Sequence, residues 1–283
     1  MIRVSGIGRS SMIPKLSRTA PCGSTCHNER VGPDLIIARL KAIRDVRMRV
    51  LTLVSALGEG EASAWVEALA AIVARAKLVD DADALEALEC LTHAARDSAL
   101  PYATRQSLYE AAMARNLPAI ARLFLVASPQ GEIPQQLKKQ LGPERPLRPT
   151  DRPLTLGERK ALARTHRRDQ LLLMIRDPHP MVVAILLDNP HVVEGDVVKM
   201  AAARPAVPES LALIAANARW SVRHPVKRAL VLNPSTPLAD AIRIATTLRA
   251  QDLTELVNDA SLPELLRKHA HDVLADLQSR ARA

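Results

Sequence analysis

Aromatic residues are nearly missing from this chain of 283 residues, which has two Trp, two Tyr and one Phe. Any core must then be filled by Leu, Ile, Val, Ala and Met, and that favours helices, because strands concentrate aromatic and β-branched side chains. Three cysteines are too few, and odd in number, for a disulfide scaffold; they suit a reducing, cytoplasmic compartment. No apolar run approaches the roughly 18–20 residues needed to cross a bilayer, so no membrane segment is expected. The phosphate loop Gly-x-x-x-x-Gly-Lys-[Ser/Thr], the His-Glu-x-x-His helix and the Gly-x-Ser-x-Gly elbow are all absent. Gly6-Ile-Gly8 has no third glycine and no strand before it. With no catalytic motif to build on, the chain reads as a protein that is not an enzyme.

What is present is charge, and its position matters more than its total of +9. Residues 1–32 carry five basic groups against one acidic, and residues 130–170 carry ten against five. Residues 171–283 are nearly balanced, thirteen against twelve. The excess therefore sits in two stretches that lack an apolar period. Residues 1–32, rich in Ser and Gly, predict a disordered basic tail with something of a transit peptide's composition but no apolar signal core. Its Cys22-Gly-Ser-Thr-Cys26-His27 is one residue longer than a haem-attachment motif and has no fourth ligand for zinc, so no cofactor is expected. Residues 129–153 hold six prolines and predict a linker. Between and beyond these lie a helical domain at 33–128 and a second helical domain at 154–283.

Within the first domain, Ile36, Leu40, Ile43, Val50, Leu53, Val54 and Leu57 step by three and four, predicting one helix from Asp34 to Leu57 that Gly58 and Gly60 end. Four more follow at about 62–78, 82–97, 104–115 and 117–127, with Thr104 as an N-cap and Pro118 at a first-turn position. Trp65, Leu69, Ile72 and Val73 form one stripe read as core. Thr155 or Thr150 caps the next helix.

The second domain contains one stretch twice. A shift of forty-four residues places Val182 on Val226, Leu186 on Leu230, Leu187 on Val231, Asn189-Pro190 on Asn233-Pro234, Asp196 on Asp240 and Ala201 on Ala245. Proline ends the first helix of each copy, since it lacks an N–H and pushes the preceding Asn out of the helical region. Short Pro-punctuated helices continue to the end of the sequence, and Ser235-Thr236-Pro237 predicts a hydroxyl cap and N1 proline for the helix that follows. Leu186 and Leu230 should face a shared core.

Ala203-Arg-Pro-Ala-Val-Pro-Glu-Ser-Leu211 and Leu230-Val-Leu-Asn-Pro-Ser-Thr-Pro237 resemble bacterial HEAT-like and leucine-rich-variant repeats. Leu156-Gly-Glu-Arg-Lys-Ala-Leu-Ala-Arg164, Trp220 and Asp252-Leu253 extend the likeness over 154–274, to a group of bacterial helical-repeat proteins. The resemblance implies a right-handed α-solenoid with a binding role, and it brings no catalytic residues. Some leucine-rich-variant proteins carry an iron–sulfur cluster, for which two tail cysteines fall short of four. The fold expected is thus all-α, with a HEAT-like right-handed α-solenoid after a helical N-terminal half.

His179, His191 and His224 accompany prolines at helix junctions and read as turn or capping residues; His269 and His271, two apart on a helix, point to nearly opposite sides. The basic cluster Arg219, Arg223, Lys227 and Arg228, with Trp220 as its aromatic anchor, lies between the two copies and is the expected partner-binding face. A protein partner is the first expectation, and a nucleic acid held by the same cations is the alternative, weakened by the scarcity of stacking aromatics.

Overall fold

The computed structural model describes residues 32–78, 81–126 and 153–282. The tail expected at 1–32 and the linker expected at 129–153 lie, all but their last residue, outside them, as do Cys22, Cys26 and Thr150. All fifteen regular elements among the described residues are helices, as the composition predicts. Pro33–Ala42 (α1), Val46–Glu59 (α2), Ala62–Leu78 (α3), Ala82–Arg96 (α4), Tyr102–Ala114 (α5) and Pro118–Leu123 (α6) come first. Leu156–Ala163 (α7), Arg168–Met174 (α8), Pro180–Asp188 (α9), Glu194–Ala202 (α10) and Pro208–Ala216 (α11) follow. His224–Val231 (α12), Leu238–Thr247 (α13), Ala250–Asn258 (α14) and Glu264–Arg282 (α15) complete the set. No helix of the described residues is long and apolar enough to cross a membrane.

The apolar period from Asp34 to Leu57 is divided, contrary to the single helix expected. Residues 43–45 leave the helix, and Asp45 starts α2 by accepting the Met48 amide at 2.8 Å. An aspartate satisfies more of the chain as an N-cap than in a helix interior, where it competes with the backbone. Thr104 likewise is not a cap; α5 begins at Tyr102 after an extended Pro101. Gly60 does end α2, and closely: a Cβ there would stand 2.2 Å from the Trp65 indole nitrogen, so only glycine fits against that buried ring.

Helix ends share one device. Asp97, Asp177, Asn189, Asn217, Asn233 and Asp259 each accept, through a side-chain oxygen, the amide two residues on, at 2.8 to 3.0 Å. Such Asx turns offer the backbone an alternative to the next helical bond and so stop the helix. In the two matching stretches the Asn does more. Asn189 donates its amide hydrogens to Ala163 O at 2.8 Å and Thr165 O at 3.0 Å, tying the end of α9 to the end of α7. Asn233 donates to Ala201 O at 2.8 Å and Ala203 O at 2.9 Å, tying the end of α12 to the end of α10. Both amides are buried. Asn233→Ala is expected to lower the unfolding free energy by about 1–3 kcal/mol, since it leaves two carbonyls and the Ser235 amide without this partner. Urea denaturation reads the change, and Asn233→Asp, which cannot donate, should cost no less.

Val182, Val226, Leu186 and Leu230 are all fully buried, as the forty-four-residue match requires. Thr236 departs from expectation: its hydroxyl donates back to Leu230 O at 2.6 Å, closing α12, while α13 starts from Pro237 with no side-chain cap. Three apolar cores result. One fills α1–α6, a second runs from α7 to α12, and a third joins α13–α15 to Val231 and to Ala119 of α6.

The helices before residue 127 lie against those after 152, and all belong to one compact unit. Part of that seam consists of cations donating to carbonyls at helix C-terminal ends, where the dipole favours positive charge. Arg243 Nε donates to Leu123 O at 2.9 Å and its Nη2 to Leu125 O; Lys77 donates to Leu248 O. Within the later helices, Arg204 donates to Leu232 O at 2.5 Å.

Candidate functional site

The five residues expected to form one binding face are sent to different places. Trp220 is buried, 4% exposed, and its indole N–H donates to Leu187 O at 3.0 Å, so it is core and not a surface anchor. Arg219 covers the outer face of that ring, with Cζ 4.3 Å from the ring centroid. Lys227 also points inward, paired with Glu89 of α4, both side chains largely out of water. Arg223 stays exposed, its Nε 4.0 Å from Glu194. Arg228 forks onto Glu255 of α14 at 2.7 Å and lies 3.7 Å from Asp252, pairs that hold its guanidinium above the ordinary range. A continuous free basic face is therefore not what these residues make.

The junction between the two matching stretches nevertheless opens into a groove of ≈ 590 Å³ between α10 and α12. Val198 and Ala202 form one wall and Pro225, Ala229 and Leu232 the other, with Arg204, His224 and Arg228 at the rim. Among the described residues no carboxylate lines it. Small side chains leave the space: where a Leu would fill the helix–helix seam, α10 and α12 present alanines. His224 is steadied by Asp252, 2.8 Å away, outside the groove. No family model, curated protein or solved structure matches the chain. The site has to be read from its own residues.

Of the predicted set only Arg228 lines this groove; Arg204, His224, Val198 and Ala202 were not singled out as a face. Register would have found them, since Arg204 falls just after the first copy's second helix and Arg228 sits on the second copy's first. The remaining histidines behave as junction residues. His179 Nδ1 accepts the Met181 amide at 3.2 Å as the N-cap of α9, and burial together with Arg159 pushes its pKa below the usual value. His269 is fully buried and His271 exposed, on opposite sides of α15. Among the described residues no group of three or more His, Cys, Asp and Glu side chains is placed to hold a metal.

A second ionic assembly sits where α4 meets the later helices. Glu89, His93 and Arg96, spaced for one face of α4, meet Lys227, Ser221 and Asp240 respectively. His93 Nε2 lies 3.3 Å from Ser221 Oγ, and Arg96 Nε lies 3.6 Å from Asp240 while its Nη2 donates to Ala212 O at 3.0 Å. Burial first, then Arg96 and Lys227, pushes the His93 pKa down, so the imidazole is neutral near pH 7. The matching acid of the first stretch, Asp196, is served differently: Arg168 of α8 clamps both its oxygens at 2.5 and 2.6 Å. Helix α11 contains no basic residue to do the same for Asp240. Arg96, from the opposite side of the seam, takes that place together with Arg243 at 3.4 Å.

Proposed function

We propose that the chain is a non-catalytic, HEAT-like helical-repeat scaffold that binds an acidic, amphipathic segment of a partner protein in the α10–α12 groove. The observation that carries this is the groove's lining, small apolar walls under Arg204, Arg228 and His224, with no carboxylate of the described residues among them. An amphipathic helix seats its apolar residues in such a groove and its acids on the rim. The repeat reading, and with it a right-handed solenoid, is supported by the paired amide ties of Asn189 and Asn233, which join helices two apart in the same way in both stretches. A nucleic acid fits less well, because bases stack on aromatic side chains and no Trp, Tyr or Phe of the described residues lines the groove.

The test uses a labelled amphipathic peptide with Leu on one face and Glu on the other, against a short DNA duplex. The peptide should bind the wild type, and Ala202→Trp, at an exposed position on the groove wall, should weaken it by about tenfold or more. Arg204→Glu should act in the same direction, by more than the small loss of stability expected from its bond to Leu232 O accounts for. Duplex binding with a steep salt dependence, reduced by Arg204→Glu, would replace this reading with the nucleic-acid one.

A further inference from the structure

The ionic assembly on α4 lines a cavity of ≈ 30 Å³, and this cavity adjoins a wider cleft of ≈ 330 Å³. Glu89, His93, Arg96 and Val222 line both, so the two spaces are neighbours. The inner cavity is ringed by three cations, Arg96, Lys227 and Arg243, against two carboxylates, Glu89 and Asp240. With His93 neutral, one positive charge is left over in a place largely shut off from water. Arg243 registers the imbalance: burial, with Arg96 and Arg105 nearby, brings its pKa down to about 10 despite Asp240. The outer cleft is different in kind. Its charges pair off, Arg47 with Asp97 at 3.2 Å and Arg49 with Glu86, and Val46, Val50, Ala216, Ala218 and Val222 supply apolar wall.

From this two-part shape we infer that the seam is a binding site for a small organic monocarboxylate: the carboxylate enters the inner cavity and a short apolar tail lies along the outer cleft. Size limits the head group to a small one, since a water needs roughly 10–15 Å³ of such volume and ≈ 30 Å³ has room for two or three oxygens. Charge selects it too, because a single anion offsets the surplus, and Arg96 and Lys227 have more N–H groups than Asp240, Ala212 O and Glu89 take up. The outer cleft has the dimensions of a small-molecule site placed between two parts of a chain. This inference is independent of the α10–α12 groove, which shares no lining residue with it.

Hexanoate is the probe, with hexanol and hexylphosphonate as controls at constant ionic strength, read by melting temperature and by saturation-transfer NMR. Hexanoate should raise the melting temperature saturably and show transfer, with hexanol and hexylphosphonate weaker by about tenfold or more. Val222 is 43% exposed, so Val222→Trp can fill the cleft, and Val222→Asp can repel the carboxylate, without opening the core. Both variants should lose the hexanoate response. Equal binding of hexanol, no saturable hexanoate signal by NMR, or full binding by both Val222 variants would each overturn the assignment and leave a cavity that holds water.

Discussion

Leu230→Ala is expected to lower the unfolding free energy by about 2–5 kcal/mol, and Leu186→Ala by a similar amount. Both side chains are fully buried, at matching places in the two stretches, and both belong to the core that runs from α7 to α12. The upper part of that range is favoured where the surroundings cannot close over the gap. Leu230 is so placed, because its own carbonyl is held by Thr236 and the end of its helix by Asn233. Urea denaturation with an unchanged slope gives the number directly. A loss below about 0.5 kcal/mol, the range of ordinary surface changes, would mean that the buried face has been misassigned.

Acid should unfold the protein along a limb set largely by His269. Thr246 Oγ1 gives its hydrogen to Ile242 O at 3.0 Å, so at 2.9 Å it can only accept from His269 Nε2. The ring is thus the neutral tautomer with its proton on Nε2, and the buried Nδ1 has no partner among the described residues. Burial, with Arg122 and Lys77 adding repulsion and Asp272 opposing, brings its pKa from 6.5 to about 3. A base with a lowered folded pKa binds its proton more readily when unfolded. Its penalty is therefore absent above pH 6.5, grows as the pH falls below that value, and is complete near pH 3. Integrated over that window it amounts to roughly 5 kcal/mol, at about 1.36 kcal/mol per unit. His269→Leu keeps the Thr246 bond to Ile242 and should flatten the acid limb. Identical pH profiles for the two proteins would show that the slope comes from Asp81, Asp196 and Asp259, whose lowered pKa values act in the same direction.

Local chemistry explains which parts of this could be read in advance. Helical class, the Trp65 stripe, the Asn-Pro breaks and the burial of Leu186 and Leu230 depend on neighbours three to four residues away, and all were legible. The break at residues 43–45 was not, because the apolar period runs through it and only the cap chosen by Asp45 reveals it. Lys227 carried a signal that charge alone hid. It follows Val226 and stands four residues before Val231, so it shares the buried face of α12, and an inward lysine demands a distant acid. That acid, Glu89, lies 138 residues earlier, beyond what spacing can show. Trp220 was misleading for the same reason: residue type suggests an anchor, whereas its partner is a backbone carbonyl thirty-three residues back.

Arg96 has a consequence for how such a chain can change its length. A segment of chain can be copied without loss only when its contacts are all supplied from within. Here the first acid, Asp196, draws its clamp from the adjoining helix α8, but Asp240 draws on α4, far away in the sequence. A duplicate of the segment around Asp240 would bring its own Arg243 but no second Arg96, and its α11 has nothing basic to add. The segment around Asp240 is thus less self-contained than the one around Asp196, since a local duplication would not carry the α4 half of its clamp.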